Sequence, residues 1–312
     1  MLKFSVVIPV YNKAEFLENT LDSVFSQTYP HFEVIAVNDG STDRSLRILE
    51  RYKSKGLRII NQANKGASVA RNNGIDHAQN AYIALIDADD IWSANHLEEH
   101  ANSIKRFPDQ VIYTNHYSIK WSSNTIKPAE FNLNETDQSI RCISNYFEAS
   151  LKDNLIWTSA VCFKRSTFNN LGHFNSIYKT GQDLDLWIRF ALEFPIVYNP
   201  NTTMIYHKGI INSLSKNEYN EVRYQLFSSY LKEEHQNKDL SLYLDQKRYG
   251  LALRTKAKDN IKLFKKTLLL IDTDRLSFKQ KFLLNLPVFI LNPLHKLRDF
   301  LMQKEWFLKL TR

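Results

Sequence analysis

Cysteine is scarce: Cys142 and Cys162 are the only two in 312 residues. They stand outside any metal-knuckle or redox spacing, which leaves free thiols in a reducing compartment as the default reading. No long hydrophobic run is present. The most apolar stretch, residues 282–291, is interrupted by Asn285 and Pro287 and falls well short of the ~20 residues a membrane-spanning helix needs. No small-residue cleavage site follows the apolar start, so residues 1–10 read as a first strand rather than a secretory signal. Gly-x-Gly-x-x-Gly is also missing after that strand, where Tyr11-Asn12-Lys13 stand instead, and this excludes a dinucleotide-dependent dehydrogenase. A Gly-rich, Lys- or Arg-containing phosphate loop, as nucleotidyltransferases usually carry near the first strand, is lacking too. There is no internal repeat and no low-complexity segment. With 43% hydrophobic residues the chain has enough apolar surface for a sizeable core, in one large domain or two ordinary ones.

Charge of both signs is plentiful but unevenly placed. The net charge is +8. Residues 251–312 hold 14 Lys and Arg against 5 Asp and Glu, a balance of +9, and the first 250 residues hold 27 against 28, a balance of −1. The basic character therefore belongs to the tail, which suits a polyanionic surface or simply aids solubility. Beyond Pro293, the positions Leu294, Leu297, Phe300, Leu301, Phe307 and Leu308 trace one helical face, with Lys296, Arg298, Lys304 and Lys309 mostly elsewhere. Such a helix either lies in a membrane interface or packs on the body of the protein.

The most informative stretch is Tyr82-Ile83-Ala84-Leu85-Ile86-Asp87-Ala88-Asp89-Asp90. Its uncharged run reads as a strand buried on both faces, ending abruptly in three carboxylates. In open α/β sheets the carboxyl edge of the strands is where ligands bind. Three neighbouring acids repel one another unless something positive lies among them, and a divalent cation with oxygen ligands is the usual remedy. A solvated turn with Asp as a helix cap is the plainer alternative.

The first hundred residues alternate strand and helix patterns: strands at 4–10, 32–37, 57–61 and 82–86, and helices at 15–27, around Leu46 to Tyr52, and after Lys65-Gly66. That rhythm indicates βαβ units and a parallel sheet, with right-handed crossovers gathering the polar clusters at Tyr11, Asp39 and Asp87 on one edge. The pattern then loosens into a helix near 97–107, a strand at 111–117, an irregular stretch through Asp137, a helix at 139–151 and a strand at 158–163. A helix beginning at Gln182-Asp183 has an acidic first turn, which the helix dipole alone would explain. From Glu218 onward the pattern is mostly helical.

Taken together, Ser5-Val6-Val7-Ile8-Pro9-Val10-Tyr11-Asn12, Val37-Asn38-Asp39-Gly40-Ser41-Thr42-Asp43, Gly66-Ala67-Ser68-Val69-Ala70-Arg71-Asn72 and Asp87-Ala88-Asp89-Asp90 resemble the successive signatures of glycosyltransferase family 2, in order. Gly181-Gln182-Asp183 resembles the family's later acidic motif. The resemblance spans about the first 215 residues. It implies an α/β GT-A fold, Rossmann-like, with a mostly parallel central sheet flanked by helices. Residues 1–215 would form the nucleotide-sugar-binding and catalytic domain, and residues 216–312 a helical, basic extension.

The implied activity is inverting transfer of a sugar from a nucleoside-diphosphate donor, expected to be UDP-linked, to an acceptor hydroxyl in cell-surface polysaccharide or glycoconjugate synthesis. Carried over residue by residue, Pro9, Tyr11 and Asn12 line the nucleotide pocket and Asp39 faces the base. Arg71 lies near the nucleoside and diphosphate, Asp87 and Ala88 near the ribose, and Asp89 on a Mg²⁺ or Mn²⁺ ion, while Asp183 acts as the base. Two departures stand out. Gln182 occupies a place where many relatives have Glu. Tyr206-His207-Lys208-Gly209 puts Gly where many relatives have His, leaving His207 as either a metal ligand after a local shift or an ordinary loop histidine. The expected partners are the nucleotide sugar, a saccharide or lipid-linked acceptor and an anionic membrane surface met by the tail, with no nucleic acid. The expected location is cytoplasmic, at the inner face of the cell membrane. The rival from another class is a non-catalytic sugar-nucleotide-binding or membrane-scaffold protein with the same fold.

Overall fold

The computed structural model describes residues 1–122, 125–134, 136–208 and 219–303. The chain divides into two compact units, one of residues 1–120 and 126–208 and the other of 121–125 and 209–312.

The first unit opens with strict alternation: β1 (Phe4–Val10), α1 (Leu17–Phe25), β2 (Phe32–Asp39), α2 (Ser45–Arg51), β3 (Leu57–Gln62), α3 (Ala67–Asp76) and β4 (Tyr82–Leu85). β1 pairs in parallel with both β2 and β4, and β2 pairs in parallel with β3. Nearly every residue of β1 is buried, as are Ile83, Ala84, Leu85 and Ile86, which agrees with strands covered on both faces. Gly74 of α3 lets that helix lie close on the sheet, since a Cβ there would stand 2.4 Å from Val7 Cγ1 and 3.1 Å from Val37 Cγ2.

Past β4 come β5 (Ile91–Trp92), α4 (His96–Arg106), β6 (Ile112–Ser122), β7 (Thr125–Pro128), β8 (Arg141–Ile143), α5 (Tyr146–Ala149), β9 (Val161–Lys164), α6 (Arg165–Leu171), α7 (Gln182–Glu193) and β10 (Ile196–His207). The sheet runs β3-β2-β1-β4-β9-β6-β10-β5. β9 is antiparallel to both β4 and β6, and β10 returns parallel to β6. The parallel reading of the sequence therefore holds for the first half, and the second half is mixed. The helix expected over 139–151 resolves into β8 and the single turn of α5, because residues 141–143 pair with β10. Within 158–163 only the end is strand: a 3₁₀ turn, Thr158–Ala160, precedes β9.

In the second unit, α8 (Asn220–Ser228), α9 (Leu231–Gln236), α10 (Lys238–Ala257), α11 (Ile261–Leu268), α12 (Phe278–Asn285) and α13 (Val288–Gln303) follow one another. Ala252, Ile271, Leu276 and Leu284 form its buried apolar cluster. Arg248, also buried, pairs with Glu234 at 2.8 Å and donates to the Phe227 and Leu270 carbonyls. Among the described residues no helix is long and apolar enough to cross a membrane. The expected boundary at 215, Gly209 and the Lys304, Phe307, Leu308 and Lys309 part of the tail stripe lie outside the described residues.

Candidate active site

The site forms where β1, β2 and β4 end side by side. After β1 the chain turns sharply at Asn12, whose φ of 51° is left-handed; asparagine tolerates that region better than most residues. Its side-chain oxygen accepts from the Thr42 and Asp43 amides, and its own amide donates to Ser41 Oγ. Asn12 thus fastens the loop after β1 to the loop after β2, while Tyr11 stays exposed and Pro9 half-buried. Asp39, at the end of β2, is buried. It accepts from the Lys65 and Gly66 amides, each at 2.8 Å, and from Gln62 Nε2 at 2.7 Å. Its carboxylate sets the position of the loop that starts α3.

α3 carries Arg71, whose Nη2 meets Asp87 Oδ1 at 2.6 Å and whose guanidinium lies 5.4 Å from the Phe174 ring centre. Burial works against the charge on Arg71, but Asp87, Asp183 and Asp89 outweigh it and hold the pKa above its usual value. Nε and Nη1 of Arg71 have no partner among the described residues, although the side chain is buried. Two charged donors are therefore held ready beside a carboxylate.

The three acids after β4 do not converge on one point, contrary to the grouping read from their spacing. Asp87 takes Arg71, and Asp89 takes the Lys13 ammonium. Asp90 turns inward, accepting from Ser159 Oγ at 2.5 Å and from the His207 amide at 3.1 Å. Ser159 Oγ also receives the Asp87 amide, so this one hydroxyl pins both ends of the acidic turn. Burial pushes Asp90 well above the usual carboxylate range, and the charges of Asp89 and Asp87 push it further. Asp89 is raised by burial and by Asp87, with Lys13 opposing. Ala88 is buried between them. Asp90 does not cap a helix: Ile91 and Trp92 continue as β5.

Asp183 arrives from the other half of the unit. Gly181, at φ 76°, is the N-cap of α7 and turns the chain into it. Asp183 Oδ1 accepts from the Leu184 amide at 2.9 Å, and Thr158 Oγ1 stands 3.4 Å from Oδ2. Its influence on Arg71 places it in the same field as Asp87 and Asp89. Gln182 is buried and its Oε1 has no partner among the described residues.

Among the described residues no cluster of three or more His, Cys, Asp or Glu side chains is arranged to hold a metal ion. The two residues expected on the metal, Asp89 and His207, meet through the Asp89 backbone carbonyl. His207 Nδ1 lies 2.6 Å from the Asp89 carbonyl oxygen, which can only accept, so Nδ1 carries the proton and Nε2 keeps its lone pair in the neutral ring. Metal-binding histidines commonly anchor their second nitrogen in this way. Lys13 shows that the Asp89 carboxylate takes a cation. A carboxylate and an imidazole are donor types that would suit a divalent ion whose other positions phosphate oxygens and water would fill.

Sequence reasoning missed Lys13 and Ser159. Lys13 was visible beside Tyr11-Asn12, but its partner lies 76 positions away. Ser159 carries no motif at all, and only the strand order brings it under the acids.

The profile of glycosyl transferase family 2 matches residues 5–172, more than half of the chain. The chain belongs to glycosyl transferase family 2. Over 218 residues, 69% of this chain and 82% of the relative, it is 29% identical to TuaG of Bacillus subtilis, named as a teichuronic acid biosynthesis glycosyltransferase. It is 36% identical to the glycosyltransferase GlyA of Streptococcus pneumoniae over 122 residues, 38% of this chain and 18% of that protein. Among solved structures, S. aureus TarS 1-349 in complex with UDP-GlcNAc superposes with a TM-score of 0.69 at 19% identity, covering 88% of this chain and 82% of that one. The mannosyltransferase PcManGT of Pyrobaculum calidifontis, in complex with GDP-Man and Mn²⁺, gives 0.55 at 18% identity, over 90% and 78%. At these identities the structural likeness establishes the fold, which is GT-A.

Proposed function

We propose that this glycosyltransferase moves a sugar, with inversion, from a nucleoside-diphosphate donor to an acceptor hydroxyl of a cell-surface polysaccharide or glycoconjugate. The observation that carries the reading is the buried Arg71, paired to Asp87 with two guanidinium nitrogens unused and Asp183 in its field. The free donors suit a diphosphate, which needs several charge-assisted hydrogen bonds. Pro9, Tyr11, Asn12 and Asp39 lie on the β1–β2 side, where the nucleoside would rest, with Asp87 and Ala88 near the ribose. UDP is the expected nucleotide, supported by the UDP-GlcNAc bound to TarS. The teichuronic acid pathway in TuaG's name supports a wall or surface polymer as product.

In the reaction the acceptor hydroxyl attacks the anomeric carbon as the bond to the diphosphate oxygen breaks, its electron pair leaving with the diphosphate. Asp183 takes the hydroxyl proton, a contribution of roughly 10²- to 10⁴-fold. Arg71 and Lys13 face the departing charge. Asp89 and His207 would hold Mg²⁺ or Mn²⁺, which when bound offsets the charge growing on the diphosphate. Mn²⁺ in the PcManGT complex supports that choice. Residues 1–215 carry this chemistry. Residues 216–312 serve as a basic helical region that holds the enzyme at the cytoplasmic face of the membrane, close to a saccharide or lipid-linked acceptor.

Screening nucleotide sugars for slow hydrolysis, with Mg²⁺ or Mn²⁺ and then with excess chelator, tests the reading. Hydrolysis of one donor that stops with chelator is expected. Equal hydrolysis in chelator would remove the metal from the account. Failure to bind or hydrolyse any nucleotide sugar would favour a non-catalytic scaffold.

A further inference from the structure

Beyond the donor side stand two aromatic side chains: Trp157, to which no motif pointed, and Tyr206, which opens the Tyr206-His207-Lys208-Gly209 stretch. Trp157 and Tyr206 are half-buried, with ring centres 4.3 Å apart and planes inclined at 45°. Tyr117, fully buried and fixed by its hydroxyl to the Asn154 carbonyl at 2.8 Å, backs Trp157 at 5.5 Å. Neither the Trp157 indole N–H nor the Tyr206 hydroxyl has a hydrogen-bond partner among the described residues. A buried core aromatic usually satisfies its polar tip. Two neighbouring rings with partly open faces, and with polar tips that have no partner among the described residues, read more readily as a binding surface than as core filler.

Their place in the chain ties them to the acids. Trp157 precedes Thr158, whose hydroxyl is 3.4 Å from Asp183. Tyr206 precedes His207, which bonds the Asp89 carbonyl. In the sheet order, β2 with Asp39 is two strands to one side of β4, and β10 with Tyr206 is three strands to the other. The rings are thus on the side of the acidic turn away from the end assigned to the nucleoside, next to the carboxylate assigned as base.

We propose that Trp157 and Tyr206 form the acceptor subsite, and that it takes a pyranose ring, stacked by its C–H face on Trp157 with a hydroxyl directed to Asp183. The inference rests on the transfer reading above and names the acceptor class for that same site. A pyranose suits the pair because one face presents only C–H bonds to an aromatic ring, while its rim of hydroxyls meets the indole N–H and the phenol. A linear polyol such as ribitol or glycerol has no such face.

The test uses the full-length protein loaded with UDP. Methyl pyranosides of the gluco, galacto and N-acetylglucosamino series are compared with ribitol and glycerol by NMR saturation transfer. At least one pyranoside should receive saturation at its C–H protons while the polyols do not, and Trp157→Ala should abolish it with UDP affinity unchanged. With the donor found by the screen, Trp157→Ala should raise acceptor KM by at least tenfold with a smaller effect on kcat, and Trp157→Phe should recover most of the loss. A wild-type protein that binds UDP but no pyranoside would overturn the proposal. So would equal binding of ribitol, or a Trp157→Ala loss confined to affinity for the donor sugar. Failure of the wild type to bind UDP or any nucleotide sugar would count against the transfer reading instead.

Discussion

At the residue scale the site works by giving each carboxylate its own counterpart. Asp87 has Arg71, Asp89 has Lys13, and Asp90 has Ser159 and a backbone amide. Behind this turn, Trp92 stacks on His96 at 4.1 Å, and His96 meets His100 edge-on at 4.8 Å. Neither ring nitrogen of His100 has a partner among the described residues. Burial pushes His100 down to about 3 and His96 well below its usual value. Both are neutral in the fold, whereas the unfolded chain binds their protons below a pH of about 6.5. Their stabilising contribution is therefore complete above the unfolded pKa and is lost as pH falls toward 3, at about 1.4 kcal/mol per pH unit for each site. Asp89 and Asp90, shifted upward, act in the opposite sense. His100→Leu should flatten the loss of stability between these limits, as followed by urea midpoints at a series of pH values. Parallel profiles for wild type and variant would refute it. The acids themselves were legible because an apolar run stops at Asp87. Their partners were not, since Lys13 and Ser159 reach them only through the order of strands.

At the scale of elements, α3 is the piece that carries Arg71, on which the proposed donor site rests. Asp39 fixes its start through the Lys65 and Gly66 amides, Arg71 projects from its middle, and Gly74 seats it on β1 and β2. In an exposed helix Gly→Ala would be stabilising by about 1 kcal/mol. Here the added methyl would meet Val7 Cγ1 at 2.4 Å, and forced overpacking typically costs about 1–3 kcal/mol. Gly74→Ala should therefore lower the thermal midpoint and weaken UDP binding, because Arg71 moves with the helix. A raised midpoint would mean that the helix does not sit on those valines. The early elements were readable from periodicity, since each is a continuous local pattern. β5 and β8 were not: strands of two and three residues exist only because β10 offers them an edge, and no local pattern records that.

At the scale of the molecule, the excess of basic residues lies in residues 251–312. The tail's structure adds to the charge count: Phe278 is 87%, Phe282 55% and Phe289 76% exposed, with Lys279 and Lys281 exposed beside the first two. Each Lys or Arg near an anionic membrane contributes about 1 kcal/mol. Full-length protein should co-sediment with anionic vesicles and release as salt rises, and Phe278→Ser with Phe282→Ser should weaken binding. Substitution is the cleaner test, because truncation at residue 276 would remove Leu276 and Leu284 from the core of the second unit. Equal sedimentation of wild type and variant would remove the two rings from the contact, and a wild type that does not sediment would remove the membrane from the account.

The central claim joins the two halves of the sheet unit: a donor proposed at the ends of β1 to β4, and a base proposed on α7. Asp183→Asn tests it most directly, because Asn keeps the shape and can still cap the helix start, yet cannot accept a proton. Transfer rate and donor affinity are measured on wild type and variant with the same nucleotide sugar. The account predicts transfer reduced by roughly 10²-fold or more with donor affinity unchanged. Near-normal transfer would mean that Asp183 only caps α7, and would contradict it.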